Sequence, residues 1–178
     1  MAIVKQPSVY GVVELNMLQA VNTGGIKVQY PLDATDFASI PAENGMLLVV
    51  DDFAGTVKKP TGVTSAVWLH ASVEKDYEGK GRKYFAVNRG EFLPRVLQLN
   101  VGDTFETNAF EYDNATYATY AAVVAAISSS VVYGVPSTTG YIRIVAAPAG
   151  TETVVLKAVK GVTLPNGEKG LKFAVSKA

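Results

Sequence analysis

The chain has no cysteine. Disulfides, thiolate nucleophiles and cysteine-based metal centres are therefore excluded, and the fold must hold without covalent staples. Histidine is nearly missing as well. His70 stands alone, which is read as excluding a multi-histidine metal cluster, a histidine shuttle pair and a Ser-His-Asp triad. No apolar run approaches the roughly 18 residues that a membrane helix requires, so no membrane partner is expected. The opening MAIVKQPSVYGVVELN lacks the basic segment, long apolar stretch and small-residue cleavage site of a secretory leader; synthesis in the cytoplasm without secretion is the expectation. Neither sign of charge is in excess, with 16 basic residues against 16 acidic ones. Without a strong positive field, nucleic acid is not an expected partner.

What is present is core-forming material. Hydrophobic residues make up 48% of 178, enough to bury a sizeable interior in what is most simply one domain. The charges are grouped along the chain. Residues 1–54 hold two basic and six acidic groups, a net of −4, and residues 55–100 hold eight and four, a net of +4. Residues 101–142 hold no basic and four acidic groups, again −4, and residues 143–178 hold six and two, again +4. Such blocks are either solvated faces that neutralise one another within the fold or complementary patches that dock copies or partners.

Turn residues punctuate the chain at short intervals. Asn22-Thr-Gly-Gly25, Asn44-Gly45, Asn88-Arg-Gly90, Gly102-Asp103 and Asn166-Gly167 all suit tight reversals. Between them lie strand-like segments. Ile26–Tyr30 alternates; Met46–Val50 is a continuous apolar run suited to a strand covered on both faces; Val63–Val73 surrounds the single tryptophan. Tyr84–Val87, Val131–Val135, Tyr141–Val145, Thr153–Val159 and Leu171–Val175 complete the set. PRVLQLNVGDTFETNAF places strands on both sides of a Gly-Asp corner, where glycine tolerates the turn and the aspartate can accept bonds from nearby backbone N–H groups. Next comes the one good helix candidate. Asp113 or Asn114 can cap it, and Tyr117, Tyr120, Val124 and Ile127 recur at helical spacing. The fold expected is mainly β: a barrel or sandwich of short antiparallel strands, with one short α-helix at about residues 114–127. Residues 1–9, interrupted by Pro7, read as an extended N-terminal arm. Residues 10–178 form a single β-rich domain, with room for a small lobe at 111–140.

No catalytic set emerges, so no enzymatic activity and no cofactor are expected. Asp51-Asp52 and the pair Asp33 and Asp36 offer oxygen ligands, but neither has the spacing of a calcium loop, and no metal is assigned. GKGRK, residues 79–83, lacks the order of a phosphate loop and has no helix behind it. It reads as a solvated hairpin tip whose Lys80, Arg82 and Lys83 could meet an acidic partner. The aromatic residues sit mostly beside aliphatics and read as core.

The arm MAIVKQPSVYGVV, the turn pair LQLNVGDTFETNAF and the helix at 115–127 together resemble the decoration or auxiliary proteins of tailed-bacteriophage heads. That resemblance implies a non-catalytic virion protein that binds the outside of the capsid lattice and stabilises the head. It also implies the major capsid protein or another virion protein as partner, and a homo-oligomer, trimers being favoured. The arm would supply the contact through Ile3, Val4, Pro7, Val9 and Tyr10, adding a strand or lying along a capsid edge. The alternative is a carbohydrate- or receptor-binding β domain of a phage tail or surface protein, using exposed aromatics such as Trp68 or Tyr77.

Overall fold

The computed structural model describes residues 2–72 and 82–178. The chain is mainly β, with 38% strand and 10% helix. Its first half forms β1 (Ile3–Lys5), β2 (Val13–Met17), a short helix α1 (Gln19–Thr23), β3 (Ile26–Lys27), β4 (Ala42–Glu43), β5 (Leu47–Asp51), β6 (Thr56–Lys58), β7 (Trp68–His70), β8 (Ala86–Val87) and β9 (Val96–Leu97). Its second half forms β10 (Thr104–Thr107), β11 (Phe110–Asp113), helix α2 (Tyr120–Ser129), β12 (Val132–Pro136), β13 (Ile142–Val145) and the long pair β14 (Val155–Thr163) and β15 (Lys169–Lys177).

The strands assemble into an eight-stranded sheet, ordered β1-β11-β13-β12-β14-β15-β10-β2, a five-stranded sheet, β3-β9-β7-β5-β6, and the small pair β4-β8. Among the described residues the large sheet ends at β1 and β2 and does not close into a barrel; the sandwich half of the expectation holds. The sheets share a core. Leu47, Leu69 and Leu97 of the smaller sheet join Phe105, Phe110, Ile142, Leu156 and Phe173 of the larger in one apolar cluster. The opposite face of the smaller sheet is also buried. Leu48 and Val96, the sequence neighbours of Leu47 and Leu97, pack with Phe37, Met46, Val57 and Tyr141 in a second cluster. Side chains alternate across a strand, so a run such as Met46–Val50 can stay apolar throughout only where both faces are covered.

The Gly-Asp corner does what its chemistry suggests. Gly102 sits at φ +96°, and the Asp103 carboxylate accepts from the backbone N–H of Asn100 at 2.8 Å and of Gln19 at 2.9 Å. The strands it joins do not pair with each other. β9 belongs to the small sheet and β10 to the large one, so the corner carries the chain between layers. The expected strand 104–110 is likewise cut in two at Asn108-Ala109. There the Asn108 side-chain oxygen accepts from Val12 N at 2.6 Å.

The helix begins later than residue 114. Asp113 spends its capping chemistry on a turn: its carboxylate accepts from Ala115 N at 2.9 Å and its carbonyl from Tyr117 N at 2.8 Å. Thr119 is the cap instead, accepting from Ala122 N at 3.2 Å. The buried stripe is therefore Tyr120, Val123, Val124 and Ile127 against the large sheet. Tyr117 is buried outside the helix. Residues 111–140 put β11 and β12 inside the large sheet, with α2 lying across it.

In the first segment Ile3–Lys5 form a strand and residues 8–10 bend, and the segment is tied to the body of the fold. β1 pairs antiparallel with β11, Val4 facing Tyr112 and Lys5 facing Glu111. Beyond it, Gln6 N donates to the Phe110 carbonyl at 3.0 Å and Tyr10 N to the Lys83 carbonyl at 3.1 Å, while Ser8 Oγ donates to Glu168 at 2.5 Å. The physical reason is the open edge of β11, whose unpaired backbone groups the segment satisfies.

Candidate docking face

Among the described residues, the ionisable side chains Glu43, His70 and Glu111 are buried. Glu43, nearly buried, accepts from Gly11 N at 2.7 Å and from the Tyr141 hydroxyl. Burial first, and the Glu43 charge second, hold the Tyr141 phenol far above its usual range. Glu111 is wholly buried. It accepts from Ser137 Oγ at 2.6 Å, Thr139 Oγ1 at 3.0 Å and Arg143 Nε at 2.8 Å, and Arg143 Nη2 lies 2.6 Å away as its ion pair. Each carboxylate is a fastener between segments distant in sequence.

A single histidine does not by itself exclude a serine–histidine pair, and the fold makes one. His70 Nε2 lies 2.6 Å from Ser72 Oγ, and Nδ1 lies 2.8 Å from the Glu43 carbonyl. A carbonyl only accepts, so Nδ1 carries the proton and Nε2 accepts from the hydroxyl. Burial, above all, pushes the ring's pKa down to about 4. So weak a base, wholly enclosed, is poorly matched to proton abstraction near neutrality. Ser72 Oγ also accepts from Arg95 N at 2.9 Å. The pair ties the end of β7 to the segments at Glu43 and Arg95. Residues 70 and 72 share one face of an extended segment, so the contact was readable from the spacing and was missed.

The carboxylates considered for metal binding are engaged too. Asp33 accepts from Thr35 N and Asp36 N, and Asp36 from Lys59 N. Asp51 and Asp52 shape the β5–β6 turn. Asp51 Oδ1 accepts from Phe53 N at 3.1 Å and Ala54 N at 2.8 Å, and Oδ2 meets Lys58 Nζ at 2.8 Å. That lysine bond is the main reason the Asp51 carboxyl lies below its ordinary range. Asp52 grips Lys27 Nζ at 2.6 and 2.8 Å, which lowers it in the same way. Lys27 in turn sits 5.3 Å above the Trp68 ring and 5.9 Å from that of Tyr30. Among the described residues, no three His, Cys, Asp or Glu side chains gather as a metal set.

The product of this bracing is an outward-pointing ring. Phe53 is 104% exposed, more than in an extended chain, on a turn fixed by two backbone bonds and two ion pairs. Scattered exposed apolar residues are ordinary; Phe53 is the most exposed of the large apolar side chains among the described residues. Met17, Val21 and Val28 are also exposed, on β2, α1 and just after β3. Between those elements runs a groove of about 480 Å³ lined by Leu15, Met17, Leu18, Val21, Ile26 and Leu97 among others. Ile26 lines the groove, whereas Lys27, its neighbour in β3, points to the other side of the strand, toward Asp52 and Trp68. Neither feature carried a sequence expectation.

The residues expected to make contacts are spread out. Ile3 and Val9 are exposed, Val4 packs against the core, and Pro7 and Tyr10 are half-buried. Lys80 lies outside the described residues, as does Tyr77, and so does the side chain of Arg82. Lys83 lies in the middle of a 3-10 turn (Arg82–Tyr84), with Nζ 3.8 Å from Glu168 and 5.3 Å above the Tyr84 ring. The fold thus brings Tyr10 and Lys83 together and leaves Ile3 at the sheet edge. No protein-family model, curated protein or solved structure matches this chain.

Proposed function

We propose that the chain is a non-catalytic structural protein of a phage particle, binding the outside of the capsid lattice and stabilising the head as a homo-oligomer. The observation that carries this reading is Phe53, wholly exposed on a turn braced by Asp51–Lys58 and Asp52–Lys27. A rigid apolar projection loses little conformational entropy on docking, so more of its burial appears as affinity. Repetition over a lattice multiplies a modest contact through avidity. The inward use of Glu43, Glu111 and His70 favours the same reading, because each serves internal cohesion. The sugar-binding alternative gains nothing from Trp68, over whose ring Lys27 Nζ already sits at 5.3 Å.

The test is co-sedimentation of purified protein with capsid shells of the particle that carries it, at nanomolar concentration. Wild type pellets with shells, and Phe53→Ser weakens that binding at least tenfold while its circular dichroism is unchanged. Failure of the wild type to pellet, or saturable binding to a glycan array in its place, overturns the reading.

A further inference from the structure

Two asparagine–glycine pairs occur in the chain, Asn44-Gly45 and Asn166-Gly167, and the fold treats them in opposite ways. An asparagine followed by glycine can cyclise, because the glycine nitrogen has no side chain beside it to block its approach to the amide carbon. The first pair is locked. Asn44 is buried, its Oδ1 accepts from Ser72 N at 2.7 Å, and Gly45 N donates to the His70 carbonyl at 2.8 Å. A Cβ built on Gly45 would lie 2.2 Å from Thr107 Oγ1, so the backbone there has little room to turn.

The second pair lies at the tip of the β14–β15 hairpin. Gly167 is exposed, at φ +82° with open space around its Cβ position. Asn166 Oδ1 accepts from Glu168 N at 3.2 Å, which draws electron density from the amide carbon. Asn166 Nδ2 is shielded from solvent and has no hydrogen-bond partner among the described residues. An unpaired shielded donor raises the free energy of the amide, and no contact holds the leaving nitrogen. One bond opposes the reaction, from Gly167 N to the Leu164 carbonyl at 2.8 Å, and it sits in a surface turn, where local opening costs least.

We propose that Asn166 is a site of spontaneous self-modification in the folded protein, while Asn44 is protected. Gly167 N gives its proton to solvent base and bonds to Asn166 Cγ. The Cγ–Nδ2 bond breaks, and Nδ2 leaves as ammonia after taking up one proton in return. Water then adds to either carbonyl of the cyclic imide, opening it to aspartate or to an isoaspartyl linkage; nothing is oxidised or reduced. Either product sets a new carboxylate next to Glu168 in the chain. Glu168 accepts from Ser8 Oγ at 2.5 Å and lies 3.8 Å from Lys83 Nζ. The change therefore falls where the first segment is fastened to the hairpin. It does not depend on capsid binding.

Incubation of the intact protein at pH 9 and 37 °C, then proteolysis and peptide mass spectrometry, tests this, with an isoaspartyl-specific methyltransferase as the probe of the product. The expected result is conversion at residue 166, to aspartyl and isoaspartyl forms together, at least tenfold faster than at residue 44. In guanidinium, where the fold no longer distinguishes the pairs, the two rates converge. Gly167→Ala, its fold checked by circular dichroism, slows conversion at residue 166 at least tenfold. A rate at 166 no greater than that at 44 in the folded protein, conversion to aspartate alone, or a rate that Gly167→Ala leaves unchanged overturns the proposal.

Discussion

The buried histidine makes stability depend on pH in a calculable way. An unfolded chain protonates His70 near pH 6.5, whereas in the fold burial depresses that value to about 4. The Arg95 charge adds to the depression, and the bond to the Glu43 carbonyl opposes it. A depressed folded value means that the neutral ring is the form the native state accepts. Its contribution is fully present above pH 6.5 and drains as pH falls toward 4, where the unfolded chain gains a proton that the folded one refuses. With about 1.36 kcal/mol per unit, the full loss is about 3 kcal/mol, of which about 2 kcal/mol is gone by pH 5. For a urea slope of about 2 kcal/mol per molar, the unfolding midpoint drops by about 1 M between pH 7 and pH 5. The comparison is His70→Asn, whose amide can still donate to the Glu43 carbonyl. The variant starts less stable at pH 7, but its decline to pH 5 is smaller by about 2 kcal/mol, since carboxylate titration is common to both. Equal declines, or an NMR titration of the ring near pH 6.5 in the folded protein, would refute the reasoning.

Other substitutions separate named causes. Gly45→Ala combines φ +88° with a Cβ only 2.2 Å from Thr107 Oγ1, whereas Gly102→Ala, at φ +96°, has open space around it. The first should cost about 3 kcal/mol or more and the second about 1–2 kcal/mol, by urea melts; equal losses would rule out the steric account. Arg143→Gln strands the buried Glu111 carboxylate and should cost about 3–5 kcal/mol at pH 7. A loss below about 1 kcal/mol in urea melts would point away from the ion pair. Thr119→Ala should remove about 1 kcal/mol while Asn114→Ala is neutral, and the opposite ranking in thermal melts would return the helix start to residue 114.

Local chemistry was legible in the sequence, and long-range pairing was not. The apolar run at Met46–Val50 announced a strand covered on both faces, and Leu47 and Leu48 do enter different clusters. Gly102-Asp103 announced a turn, but nothing in a turn says which sheet each flank will join. Asp113 is the better N-cap by residue type, yet Thr119 starts the helix, a packing choice that propensity does not contain. β1 looked like an arm because three residues and a proline carry little periodicity; its partner β11 lies over a hundred residues away. Of the docking face, DDFAG held a signal that went unread. Asp51 accepts from the N–H groups of Phe53 and Ala54, and the Phe53 ring at that turn is left exposed.

Strand β15 lies in the interior of the large sheet, between β14 and β10. A ribosome delivers β2 and β10 long before β15, and at about 5–20 residues per second the gap from β10 to β15 lasts several seconds. During that interval the edge of β10 that β15 will cover has no partner from its own chain, and crowding of nascent copies is most hazardous then. Trimming β15 would accordingly do more than shorten the protein: it would sever the sheet, parting β10 and β2 from the other five strands.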